Sequence, residues 1–386
     1  MDHFGDAGVA WRLARQLRHE VGAEVFLYLD HLPTLAALVP TCDVSAPAQE
    51  LEGVWVVRWD PLLRPLAYTQ VVLETFGCEV PPDALQAMAR QHPAPVWINL
   101  EYLSAEPWVE HCHRLPSPHP RLPLTRYFFF PGFTPHTGGL LREASLLAQR
   151  DRFQNDPLAI ENFWHRLHCP APSTETTVIS LFGYDGRELP KLLHAWHDGP
   201  MPIRCLIPAA DGLAPGALAF LQQQSGSRAE ILGPAPQDLP QVAPRGGLQR
   251  WGALEWVVLP FLAQPDYDPL LWACHFNLVR GEDSFVRAQW AARPLLWQIY
   301  PQPEEAHWIK LEAFLDRYLA GLPAPVAQAW RALFLAWNGR GALAPAWRAL
   351  WPYRHRLQTH AQAWARTLSA TPDLASQLVQ FAKSLL

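Results

Sequence analysis

The chain has 386 residues, enough for two ordinary domains, and its 49% apolar and 17% charged residues make a core-forming composition that excludes disorder over any large stretch. A net charge of −5 supplies no field to draw in nucleic acid or an anionic membrane, so neither is expected as a partner. No apolar run approaches the roughly 18 residues of a membrane-spanning helix.

In chain order, Asp2-His3-Phe4-Gly5-Asp6-Ala7-Gly8-Val9 reads as a glycine-containing loop that runs into a helix over Val9–Arg18. An α/β half normally begins with a strand, and none stands in front of this loop; the chain either starts late or dispenses with that strand. Short apolar runs at Val25–Leu29, Val54–Trp59 and Val96–Leu100 then alternate with helical spacing such as Asp83–Gln91, the pattern of a parallel α/β sheet. The aperiodic stretch His168–Thr174, with two prolines, reads as the linker between halves. A second series follows, with strands at Thr177–Phe182, Ile203–Pro208, Leu254–Pro260, Phe276–Val279 and Leu295–Ile299. Its helices are expected near Leu189–Trp196, Pro215–Gln224, Tyr267–Cys274, Ser284–Ala292 and Glu304–Leu319. The stretch Gly233–Gly247 reads as a flexible loop, and the tail Ala324–Leu386 as helical.

Domains are therefore expected at 1–168 and 175–360, with a C-terminal helix at about 365–386 packing back on the first. Two doubly wound domains place ligands at the carboxyl ends of their strands. Cys42, Cys78, Cys112, Cys169, Cys205 and Cys274 are dispersed without a CxxC pair, and the opening residues form no signal peptide, so reduced thiols and a cytoplasmic location are expected.

Several segments carry residue types suited to chemistry. In the opening loop, Asp2 and Asp6 lie four apart; Asp6 can cap the following helix, or the carboxylates can act as a general base, and spacing leaves both open. In Val279-Arg280-Gly281-Glu282-Asp283-Ser284-Phe285-Val286, Ser284 or Asp283 can cap a helix whose amino end suits a pyrophosphate. Arg280 adds positive charge there. Glu282 would be repelled by phosphate and fits better as an acceptor for sugar or ribose hydroxyls; a capped surface helix with a solvated charge cluster is the bland alternative. Phe261, Gln264 and Tyr267 place two rings and an amide after one strand, and Phe182-Gly183-Tyr184 follows another, which together suit a nucleobase pocket or simply core aromatics. Asp266-Tyr267-Asp268 spells DxD, but ahead of an apolar helical run it reads as a turn or cap, and no metal is expected. His111-Cys112-His113 lacks the second spaced pair of a structural zinc site. No GxSxG elbow and no GxGxxG fingerprint occur.

Asp2 through Val9, followed by Trp11-Arg12-Leu13-Ala14-Arg15-Gln16-Leu17, resembles the N-terminal signature of the protein-arginine rhamnosyltransferases known as EarP. Leu115-Pro116-Ser117-Pro118-His119-Pro120, Phe128-Phe129-Phe130-Pro131-Gly132-Phe133-Thr134 and Arg280 through Trp290 resemble further family motifs, in the same order. The resemblance spans nearly the whole chain. It implies a GT-B type α/β fold of two Rossmann-like domains facing a central cleft, dTDP-β-L-rhamnose as donor, inversion, no metal or other cofactor, and elongation factor P as acceptor. It further implies Asp6 as general base, supported by Asp2, with Glu282 essential. Phe182, Tyr184, Phe261, Gln264, Tyr267, Arg280, Asp283 and Ser284 would hold the nucleotide sugar. In relatives an apolar strand precedes the acidic loop, and phenylalanine is expected where this chain has Tyr267. Competing readings are a GT-B transferase using another sugar nucleotide and acceptor, and an inactive module that binds the elongation factor.

Overall fold

The computed structural model describes residues 3–59, 69–184, 186–209, 212–225, 230–232 and 247–386. Asp2 and most of Gly233–Gly247 lie outside the described residues. The elements begin with α1 (His3–Gln16), β1 (Phe26–Leu29), α2 (Leu32–Leu38), β2 (Ala48–Leu51), β3 (Val54–Arg58), β4 (Val71–Thr75), α3 (Pro82–Arg90), β5 (Val96–Leu100), α4 (Trp108–Cys112), β6 (Pro116–Pro118) and β7 (Thr125–Phe129). There follow α5 (Leu146–Asn155), α6 (Pro157–Arg166), β8 (Thr177–Leu181), α7 (Leu189–His197), β9 (Ile203–Pro208), α8 (Leu213–Ser225), β10 (Glu230–Leu232), β11 (Leu248–Trp251), β12 (Leu254–Leu259) and α9 (Gln264–Ala273). The chain closes with β13 (Phe276–Arg280), α10 (Asp283–Trp290), β14 (Leu295–Gln298), α11 (Ala306–Tyr318), α12 (Ala324–Trp337), α13 (Leu343–Leu350), α14 (Arg354–Ser369) and α15 (Leu374–Lys383).

The chain divides into two compact units. One comprises Met1–Ala144 with Trp308–Arg317 and Arg366–Leu386; the other comprises Ser145–His307 and Tyr318–Ala365. Residues 145–168 thus belong with the second unit, and His168–Thr174 lies inside it. The reason is side-chain packing on α5: Phe153 meets Trp272 at 5.7 Å, and Gln154 donates to the carbonyls of Trp272 and Ala291.

In the first unit, β4-β5-β7-β6 form one sheet, with β4, β5 and β7 parallel and β6 antiparallel; β1-β3-β2 form another. Side chains alternate across β5. Val96, Ile98 and Leu100 pack with Val9 and Leu13 of α1 and Leu374 and Leu378 of α15, while Trp97 packs on the other face with Met88 and Leu124. Each such aliphatic side chain contributes roughly 1.5–3 kcal/mol by leaving water, which is what holds the distant C-terminal helix against this sheet. Asp373 caps α15 through the Ser376 N–H and also accepts from Gln16 of α1 at 3.0 Å.

The helix expected from Val9 begins at His3, so the segment expected as a glycine loop is its first turns. Gly5 and Gly8 each weaken a helix by about 1 kcal/mol relative to Ala. Burial of Ala7, Val9, Ala10 and Trp11 offsets that cost.

In the second unit, seven strands run in the order β10-β11-β12-β9-β8-β13-β14, with β12 through β14 parallel and β10 and β11 added antiparallel at one edge. Strands β9, β12 and β13 are buried at every position, as expected of central parallel strands covered on both faces. The fold class is α/β with parallel sheets. No helix among the described residues is long and apolar enough to cross a membrane, and all six cysteines are free thiols.

Candidate active site

Parallel strands β8 and β13 are neighbours, so the loops leaving their carboxyl ends meet. Arg280, the last residue of β13, is buried, and its guanidinium stacks over the rings of Phe182 and Tyr184 at 4.3 and 4.9 Å. It also donates to the Gly183 carbonyl at 3.0 Å. The loop is fixed from the other side by Gln298 of β14, whose side-chain oxygen accepts from the Tyr184 N–H at 2.6 Å. Gly212 has φ +105, and a Cβ there would fall 2.5 Å from Arg280 Nη1 and 2.9 Å from the Gly183 and Tyr184 carbonyl oxygens, so only glycine fits. Tyr300 closes on Tyr184 edge to face at 5.3 Å.

Arg280 turns into α10 through Gly281, at φ +65, whose carbonyl accepts from the Trp297 indole at 2.9 Å. The sequence suggested Ser284 or Asp283 as cap. The cap position is instead Glu282, whose carboxylate makes no capping bond, and the Ser284 hydroxyl turns back to the backbone N–H and carbonyl of Arg280. Ser284 therefore fastens the strand-to-helix turn. Asp283 occupies the first turn of α10 beside it, where the helix amino end and its dipole favour an anion.

Helix α9 starts at Gln264 rather than Tyr267, with Pro265 in its first turn, so the loop expected to carry Phe261, Gln264 and Tyr267 is shorter than the sequence suggested. Gln264 and Tyr267 now share a helix face, and Phe261 stands in the connection before it. The Tyr267 ring meets Phe182 edge to face at 6.2 Å. Burial pushes its phenol pKa well above the ordinary range, and the nearby Ser284 hydroxyl opposes that shift only in part. The second carboxylate of the DxD is neither turn nor cap. Asp268 forms a bidentate, buried ion pair with Arg287 of α10, at 2.8 and 2.6 Å, tying α9 to α10. The structure thus brings Phe182, Tyr184, Tyr267, Arg280 and Ser284 together in one unit, with Glu282, Asp283, Gln264 and Phe261 on the adjoining segments.

In the first unit, Asp6 lies in the first turns of α1 and accepts from the Tyr102 hydroxyl at 3.4 Å. Tyr102 follows β5 and packs on Phe76 with ring centroids 4.9 Å apart.

The family model for the Elongation-Factor P (EF-P) rhamnosyltransferase EarP matches residues 1–383. The chain belongs to the EarP family. It is 46% identical to a protein-arginine rhamnosyltransferase of Pseudomonas aeruginosa, over 99% of this chain and 96% of that protein. Identity is 44% to the protein of the same description from Pseudomonas putida, over 100% and 97%. A solved structure described as the structural basis for EarP-mediated arginine glycosylation of translation elongation factor EF-P matches with a TM-score of 0.65 and 33% identity, covering 100% of this chain and 97% of the other. This EarP-family chain is accordingly a glycosyltransferase.

Sequence reasoning missed Tyr102, Gln298, Gly212 and Arg287 in this EarP-family enzyme. Tyr102 was within reach of the rule that ligands meet the loops after parallel strands, since it stands two residues after Val96–Leu100. Gln298 and Gly212 carry no local signal; they matter only because the chain path brings them to Gly183. His113, singled out in a possible metal motif, accepts from the Phe130 N–H at 3.1 Å and packs on Phe129, and burial together with Arg114 lowers its pKa to about 4. Among the described residues, no group of three or more His, Cys, Asp or Glu side chains is arranged to hold a metal ion.

Proposed function

We propose that this enzyme transfers L-rhamnose from dTDP-β-L-rhamnose to an arginine side chain of translation elongation factor P, in the cytoplasm, with inversion at the sugar carbon. The observation that carries the donor half is the Arg280 cluster: a fixed cation between two aromatic rings, at the strand ends beside the amino end of α10. Rings there stack on a base, and a helix amino end with an adjacent guanidinium suits a diphosphate. The diphosphate leaving group would be met by backbone N–H groups and Arg280. One of the two DxD carboxylates, Asp268, is paired with Arg287, which supports a metal-independent displacement. EarP relatives described as acting on arginine, at 44–46% identity, support the acceptor half.

Guanidinium is a poor nucleophile because it stays protonated and its lone pairs are delocalised. A carboxylate must orient it and take a proton as the bond to the sugar forms. Asp6 is assigned that role, held by the Tyr102 hydroxyl, with Asp2 and Glu282 in support. Phe182, Tyr184, Phe261, Gln264, Tyr267, Asp283 and Ser284 are assigned to the donor. The test is the intact mass of elongation factor P after incubation with the enzyme and dTDP-rhamnose: one added deoxyhexose is expected, and none removes the reading. Asp6→Asn should abolish transfer while donor affinity stays at the wild-type value; normal turnover would show that the base is another group.

A further inference from the structure

At the carboxyl end of β5, one residue before Tyr102, the first unit holds a cluster of hydrogen-bond acceptors that neither the core nor the donor site uses. Asn99 is only 6% exposed, and its side-chain amide donates to Glu101 Oε1 at 2.7 Å. That bond fixes the orientation of the amide, because the flipped form would set the amide oxygen against a carboxylate. Asn99 Oδ1 is left buried with no hydrogen-bond partner among the described residues. On the neighbouring strand, Glu74 stands opposite Asn99 in register, accepts from the Trp97 indole at 3.0 Å and pairs with Arg126 at 3.4 Å. Glu101 acts on Glu74 as a like charge, so the two carboxylates share one electrostatic environment.

An unsatisfied buried carbonyl oxygen costs about 1–3 kcal/mol, and here it stands next to the Glu101 carboxylate, which accepts from the same amide. The missing complement is a group rich in N–H donors, planar and positively charged. We propose that Asn99 Oδ1 and Glu101 form the subsite that receives the acceptor guanidinium, an inference that rests on the arginine-acceptor reading above. The strand end supplies the connection to chemistry. Glu101 and Tyr102 are consecutive at the strand end, on opposite faces of β5 by the alternation of its side chains, and the Tyr102 hydroxyl bonds to Asp6, so an arginine reaching over the strand end would pass from the residues that bind it to the carboxylate assigned to deprotonate it. Charge-assisted, forked hydrogen bonding of this kind discriminates arginine from lysine, because an ammonium offers no planar fork.

The test uses the full-length enzyme and steady-state kinetics with each substrate varied in turn. Glu101→Gln keeps shape and removes charge, and the residue is only half-buried, so it should fold. The acceptor KM is expected to rise about tenfold or more, the scale of one charge-assisted hydrogen bond, while the donor KM stays within about twofold. Asn99→Ala should shift the acceptor KM in the same direction, and a melting temperature near wild type for Glu101→Gln guards against misfolding as the cause. An unchanged acceptor KM in both variants, or a change confined to the donor KM, overturns the proposal. If the wild-type enzyme modifies no elongation factor at all, the function above fails and the subsite is judged separately, by titrating N-acetyl-arginine amide and followed by NMR. Binding to wild type that Glu101→Gln loses retains the guanidinium subsite; no binding to wild type, or equal binding to both, removes it.

Discussion

Replacing Asp268 by alanine removes the carboxylate facing Arg287, whose side chain is 2% exposed and bonded to it at 2.8 and 2.6 Å. Breaking a buried ion pair by deleting one partner costs roughly 3–5 kcal/mol, because the remaining charge has left water without compensation. At about 2–4 °C per kcal/mol for a unit of this size, the melting transition should fall by about 6–20 °C. The replacement of both residues, Asp268→Leu with Arg287→Met, should recover most of the loss, since two apolar groups of similar volume need no desolvation. Differential scanning calorimetry follows stability, and isothermal titration with dTDP-rhamnose follows function. Because the pair joins α9, which carries Gln264 and Tyr267, to α10, which follows Glu282, donor affinity should weaken in the single variant. An Asp268→Ala protein melting within about 2 °C of wild type would show that the pair does not hold these helices together.

Gly212→Ala places a Cβ 2.5 Å from Arg280 Nη1 at a backbone φ of +105. It should expel Arg280 from between Phe182 and Tyr184 and weaken donor binding by about tenfold, near 1.4 kcal/mol; an unchanged dissociation constant would remove Arg280 from the donor site. Stability should also depend on pH through His113, whose pKa falls from 6.5 to about 4 on burial. The unfolded chain takes up this proton first as pH drops, so the contribution is complete above the ordinary value and is lost as pH falls from about 6.5 towards about 4. Melting temperatures across that range should decline, and His113→Gln should flatten part of the slope; a variant with the wild-type slope would assign the decline to other groups.

What the sequence determined by itself was local. The apolar runs behind β8, β9, β12, β13 and β14 are long enough, and punctuated clearly enough, to be read as strands of an α/β unit. The residues that follow them then stand at strand ends by necessity, which is why Phe182, Tyr184 and Arg280 could be nominated before any fold was known. Strand β4 escaped notice because Glu74 interrupts its apolar pattern, and Glu74 is tolerable there because Trp97 of the adjacent β5 and Arg126 of β7, one strand further on, reach it. Helix α1 escaped at its start because Gly5 and Gly8 signal a loop until burial of Ala7 and Val9 outweighs their cost. Ser284 looked like a cap from composition, but its hydroxyl is drawn to the Arg280 backbone by the turn at Gly281. The partnership of Asp268 with Arg287, the return of α15 to β5, and the buried oxygen of Asn99 beside Glu101 all join residues by the path of the chain rather than by spacing along it. Periodicity records which face of an element is apolar, and it carries no information about which distant element will cover that face; that choice belongs to tertiary packing.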